Sequence, residues 1–182
     1  MKRIRKGQKM DFSGKKILIA YFSKRGENWW ITDLQSLKIG NTEKMAALIQ
    51  KAIGGDTYRI VAKKEYPDGY YACCDVAKIE RKNHERPELV ESKKVDGYDI
   101  VFVGYPTWWG SLPMPMFTFL EANDFAGKIL IPFNTSEGSG FGRGISDLEK
   151  ACPGALLKTG LSLRGHDVEQ KEEEIISWLK AL

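Results

Sequence analysis

KKILIAYF (15–22) is an unbroken apolar run behind two lysines. A strand with one wet face alternates apolar and polar residues, so a run without alternation marks a strand buried on both faces, as in a parallel sheet covered by helices on each side. YDIVFVGYP (98–106) and GKILIPFN (127–134) are of the same kind. TYRIVAK (57–63) alternates and reads as a weaker strand nearer an edge, and ALLKTGLSL (155–163) reads as the last strand.

Helical patterns lie between these runs. In TEKMAALIQKAIGG the residues Met45, Leu48, Ile49, Ala52 and Ile53 fall on one helical face, and Gly54 follows as a helix-ending glycine should, which predicts a helix over 42–53. Others are predicted at 113–123, opened by prolines in its first turn, at 140–151, and at 168–182, where Ile175, Ile176, Trp178 and Leu179 form an apolar face. The stretch 64–97 has few apolar residues and supports only a helix near 70–82. Strands alternating with helices give an α/β fold, and such sheets bind ligands beyond the carboxyl ends of their strands.

The totals narrow the class. The 182 residues suit one domain, and no apolar run approaches the ~20 residues of a membrane span. Of the net charge of +4, residues 1–16 supply seven cations against Asp11, which leaves the remaining chain faintly acidic, near −2. The expected organisation is therefore a flexible basic extension over 1–14, with Met10 an alternative start, on a domain over 15–182. The extension reads as a solvated tail rather than a nucleic-acid arm. No apolar leader follows the basic opening, and Cys73, Cys74 and Cys152 form no CxxC pair, so a cytoplasmic protein with reduced, packing cysteines is expected.

Three strand-end loops carry the chemistry. After Ser23 the chain is interrupted, then reads Gly40-Asn41-Thr42 directly before the 42–53 helix. Backbone N–H groups and hydroxyls there suit a phosphate, although Asn or Thr in that place would equally serve as an ordinary cap. In Pro106-Thr107-Trp108-Trp109-Gly110-Ser111, two tryptophans at a strand end can face a planar ring or cap the core. Thr135-Ser136-Glu137-Gly138-Ser139-Gly140 is rich in glycine and hydroxyls, which lets backbone approach a ligand. Neither a nucleophilic triad nor a metal-ligand cluster is present. His84 in KNHERPE and His166 in RGHD read as exposed and non-catalytic.

In combination these segments resemble the flavodoxin family, in a form whose phosphate loop is split by an insertion. The resemblance is carried by AYFSKRGEN and KIGNTEKMA around the insertion, GYPTWWGSLPMPMFTFLE and PFNTSEGSGFG, with YRIVAKKEYP and ERPEL also similar. It implies a three-layer, doubly wound, five-stranded parallel sheet in the order 2-1-3-4-5, and FMN as cofactor. It places Ser23, Gly40, Asn41 and Thr42 at the phosphate, and Pro106, Thr107, Trp108, Trp109, Gly110, Thr135, Ser136, Glu137, Gly138, Ser139 and Gly140 against the flavin ring. The interruption from Lys24 to Ile39 shifts the phosphate chiefly onto Asn41 and Thr42. Two functions are compatible with such a protein: an electron carrier docking transiently on redox partner proteins, as a monomer or weak dimer, or an NAD(P)H-dependent flavin or quinone reductase. The absence of a recognisable nicotinamide site favours the carrier, and the weak negative charge favours the reductase. A phospho-receiver would need aspartates after the first strand, where this chain has Ser23, Lys24 and Arg25.

Overall fold

Leu18, Ala20 and Phe22 point into one buried cluster while Ile17, Ile19 and Tyr21 point into another, so the first strand divides the core in two. A computed structural model describes residues 10–182, and the basic extension expected over 1–14 lies mostly outside the described residues. Met10 and Phe12 are described and pack on the sheet, the Phe12 ring centroid 6.2 Å from that of Phe102. In chain order the elements are β1 (Ile17–Tyr21), β2 (Gly26–Trp30), β3 (Asp33–Leu37), α1 (Asn41–Ile53), β4 (Asp56–Arg59), α2 (Tyr70–Lys82), β5 (Ile100–Pro106) and α3 (Met114–Glu121). They continue with β6 (Ile129–Ser136), α4 (Gly144–Ala151), β7 (Leu156–Leu157), β8 (Leu161–Arg164), a 3₁₀ turn (Gly165–Gln170) and α5 (Glu172–Ala181).

The central sheet is parallel, in the order β4-β1-β5-β6, with β7 and then β8 on the far side of β6. This is the expected 2-1-3-4-5 winding, with helices α1 and α5 on one face and α3 and α4 on the other. The crossover direction changes between β1 and β5, which opens a crevice at their carboxyl ends.

The predicted last strand is broken in two. Lys158 N–H bonds the carbonyl of Leu130, so alternation aims the N position of Pro132 toward the same neighbour. Proline has no hydrogen to give there. Leu157 pairs Leu130 while Leu161 pairs Phe133, so the outer strand takes one residue more than β6 and bulges past the proline. The predicted 140–151 helix begins only at Gly144, because Gly140 and Gly142 hold φ of 58° and 54°, outside the right-handed helical region. The 168–182 helix likewise starts late, after the 3₁₀ turn.

The interruption after Ser23 is a two-stranded antiparallel hairpin, β2 against β3, pairing Gly26 with Leu37 and Trp30 with Asp33. Its ends return to one point. A Cβ on Gly40 would lie 2.3 Å from Ser23 Oγ and 2.4 Å from the Lys24 carbonyl oxygen, so only glycine lets the chain close the hairpin beneath α1.

Candidate functional site

Closing the hairpin reunites the two halves of the interrupted loop. Ser23 Oγ accepts the N–H of Glu43 at 3.1 Å and Lys44 N–H bonds the Gly40 carbonyl. Ser23 thus acts as the cap of α1, although it stands before the hairpin in sequence. Among the described residues, the N–H groups of Asn41 and Thr42 donate to no other group. They remain open donors at the positive end of a 13-residue helix. Asn41 and Thr42 are both buried, and Thr42 Oγ1 meets Thr135 Oγ1 at 2.8 Å, which ties the first loop to the third. Asn41 Oδ1 is buried without a hydrogen-bond partner.

A cleft of about 660 Å³ opens at this place, beyond the carboxyl ends of β1, β5 and β6. Of the residues anticipated from sequence it brings together Ser23, Asn41, Thr42, Pro106, Thr107, Trp108, Trp109, Thr135, Ser136, Glu137 and Ser139. Gly40, Gly110, Gly138 and Gly140 are not among the lining residues and shape the loops instead. The Gly140 carbonyl, for example, accepts Thr107 Oγ1 at 2.5 Å and Asn134 Nδ2 at 2.8 Å. Ser136 Oγ accepts the N–H of Gly140 at 3.0 Å, so the third loop is folded back on itself.

The adjacent tryptophans part company. Trp108 packs edge-on against Phe22 and Tyr66, with ring centroids 5.2 and 5.1 Å away, and lies partly buried on the edge of the core where it also lines the cleft. Trp108 and Ser111 exchange both backbone hydrogen bonds, so Trp109 and Gly110 form a tight two-residue turn with φ of 50° and 74°. That turn throws Trp109 outward, 48% exposed, with Lys78 Nζ 5.3 Å from its ring centroid and its indole N–H bonded to the Cys74 carbonyl. A non-glycine residue in this conformation is strained, and such strain is retained where the side chain must be aimed.

The remaining wall was not anticipated. It comes from the hairpin (Lys24, Glu27, Asn28, Trp29) and from α2 (Tyr70, Tyr71, Cys73, Cys74, Asp75). Glu27 joins the two: its N–H bonds the Asp68 carbonyl and its Oε2 accepts the N–H of Tyr70, capping α2 from a neighbouring element. Trp29 follows with its ring 6.0 Å from Tyr70. The doublets Trp29-Trp30 and Tyr70-Tyr71 were the available signal. Cys73 is buried, which pushes its thiol up to about 11, so it is not poised as a nucleophile, and Cys74 is half-buried on the same wall.

His84 is exposed as expected, but His166 is not: its side chain is 15% exposed. Its Nδ1 meets Glu137 Oε2, its backbone N–H bonds Glu137 Oε1 at 3.1 Å, and its Nε2 lies 3.3 Å from Asp167 Oδ1. The context RGHD is polar locally, whereas the partner that buries the ring stands 29 positions earlier.

Among the described residues there is no group of three or more His, Cys, Asp or Glu able to hold a metal, and no helix is long and apolar enough to cross a membrane. What the geometry defines is a doubly wound α/β protein with a ligand cleft at the switch point of its sheet. The chain belongs to the flavodoxin family, whose model matches residues 16–182. It is 25% identical over 131 residues to Flavodoxin 1 of Salmonella typhimurium, covering 70% of this chain and 61% of that protein, so it spans about three fifths of that curated relative. It is similar to the structure of a Bacteroides uniformis ATCC 8492 protein described as a flavoprotein, at 30% identity and TM-score 0.73, covering 92% of this chain and 99% of the other. A flavoprotein of Lactobacillus acidophilus NCFM, solved in complex with FMN, shares the fold at 22% identity and TM-score 0.63, covering 86% of this chain and 98% of the other.

Proposed function

We propose that the cleft binds FMN and that the protein carries electrons between redox proteins in the cytoplasm. The observation that carries this reading is the convergence of three kinds of group on one cleft. They are the open N–H donors of Asn41 and Thr42 for a phosphate, the outward Trp109 for a planar ring, and the folded third loop between them. The donor set fits the group. A phosphate monoester suits the α1 N-terminus, and the unpartnered Asn41 Oδ1 can accept from a ribityl hydroxyl nearby. Bound FMN supplies the redox chemistry, storing and releasing electrons with accompanying protons.

The chain's own residues bind and orient. Asn41 and Thr42 hold the phosphate, with Ser23 and Gly40 shaping that turn. Pro106, Thr107 and Trp109, with Thr135, Ser136 and Ser139, flank the ring, and Trp108 supports it from the core. Gly110, Gly138 and Gly140 set the loop backbones. Glu137 stands beside Asn41, toward the phosphate end. A second reading, an NAD(P)H-dependent flavin or quinone reductase, is favoured by the open aromatic wall of Trp29, Tyr70 and Tyr71, where another planar molecule can stack.

Titration of the purified protein with FMN, followed by quenching of flavin fluorescence, is expected to give a Kd below about 1 μM, with FAD bound far more weakly. A protein that neither carries flavin nor quenches added FMN would sink the proposal. Stopped-flow mixing of the holoprotein with NADH and NADPH separates the two readings, since only a reductase is reduced directly.

A further inference from the structure

Glu137 is the one carboxylate in the 135–140 loop, and it stands beside the phosphate end of the cleft. A Cβ on Gly165 would lie 2.4 Å from Asn41 Nδ2 and 2.8 Å from Glu137 Oε1, so the amide and the carboxylate flank a single point at the start of α1. An unpaired carboxylate there would take the Asn41 donor for itself and repel an anionic ligand by Coulomb interaction in a partly buried site. It is not unpaired. His166 gives one donor to each Glu137 oxygen, the ring Nδ1–H to Oε2 and the backbone N–H to Oε1. Asp167 at Nε2 and the Trp30 ring, 6.0 Å away, enclose the imidazole from its other sides.

We propose that His166 is a positioning residue for the anionic end of the cleft: by hydrogen-bonding both oxygens of Glu137 it holds that carboxylate back from Asn41 and leaves the α1 N-terminus free for a phosphate. The inference rests on the flavin reading. It also explains why residue 165 is glycine, since any side chain there would wedge the pair away from Asn41. The charge argument makes a selective prediction, because FMN carries a phosphate and riboflavin carries none. Loss of His166 therefore weakens FMN and spares riboflavin.

The experiment measures both affinities by fluorescence titration for wild type, His166→Leu, His166→Asn, Glu137→Gln and the double variant His166→Leu/Glu137→Gln. His166→Leu is expected to raise the FMN Kd about tenfold or more, as for a charge left without its partner, and the riboflavin Kd less than about threefold. His166→Asn should stay within about threefold of wild type, because its Nδ2 stands where the imidazole Nδ1 stood. Adding Glu137→Gln to His166→Leu should recover most of the FMN affinity. Equal weakening of both flavins by His166→Leu, or no recovery in the double variant, would overturn the proposal. Wild type that binds neither flavin would instead overturn the FMN reading. The pairing is then judged in the ligand-free protein by ¹⁵N NMR: a His166 Nδ1 resonance that moves on Glu137→Gln supports it, and one that does not move overturns it.

Discussion

At its inner end the cleft is made by the sheet and α1, with Asn41, Thr42 and Thr135 buried and Thr42 bonded to Thr135. At its outer end it is made by Trp29, Tyr71 and Trp109, which are 36%, 67% and 48% exposed and hang from a hairpin, a helix start and a turn. The first arrangement is preorganised, since its donors are already fixed before any ligand arrives. The second presents large flat faces that can adjust. Affinity for the charged part of a ligand should therefore live at the inner end, and choice of what lies against the ring at the outer end.

The neighbouring tryptophans are the sharpest way to test this contrast, because one packs inward on the scaffold and the other is aimed outward. Trp108 is wedged between Phe22 and Tyr66 at the edge of the core. Trp108→Ala is expected to cost about 3 kcal/mol of folding stability through the cavity it leaves. Urea unfolding measures it, and a loss under about 1 kcal/mol would mean that Trp108 is a ligand surface rather than a core residue.

Trp109→Ala should do the reverse. Its half-exposed ring keeps one hydrogen bond and one cation contact on α2, so stability should fall by no more than about 1 kcal/mol, while FMN affinity falls by about 1–2 kcal/mol, or roughly tenfold, from lost stacking and burial. The pair of variants read by unfolding and by flavin titration gives a crossed result if the contrast holds. Parallel losses in both assays would erase it.

The inner end was legible in the sequence for the same physical reason that it is rigid. Strands buried on both faces leave continuous apolar runs, as in 98–106, and the loops that follow such runs must lie at the switch point. The outer end was not. The hairpin residues GENWW and DLQSL mix charged, amide and aromatic side chains without a clean period, and they are held by lateral bonds such as Glu27 to Asp68 and Tyr70. Composition marks such a segment as an interruption and says nothing of what it leans on. The same limit hid the burial of His166, which depends on Glu137. The break in the last strand was readable in principle, because Pro132 withholds a ladder donor, but only once its neighbour is known.

The smallest effect expected lies behind Trp108 and titrates. Tyr66, whose ring touches Trp108, donates its O–H to Glu80 Oε2 at 2.6 Å, and Glu80 is buried. Burial pushes the Glu80 carboxyl above its ordinary value, and the Tyr66 hydrogen bond opposes that only in part. The folded chain then holds the Glu80 proton more tightly than the unfolded chain does. Its stabilising contribution is complete below the unfolded carboxyl's ordinary value of 4.5 and is lost as pH rises through the higher folded value. Glu80→Gln keeps an acceptor for Tyr66 and cannot ionise, so it lacks this dependence. Wild type should lose stability relative to Glu80→Gln as pH rises from the mildly acidic range to neutrality, by less than about 1 kcal/mol, or a shift of roughly a degree or two in Tm. Paired thermal melts on both sides of that range test it. Trp109 takes no part in this support, so the FMN affinity of the Glu80→Gln protein should match wild type at each pH. If affinity instead follows the melts, the outer end leans on the inner scaffold, and the two ends of the cleft are one mechanical unit.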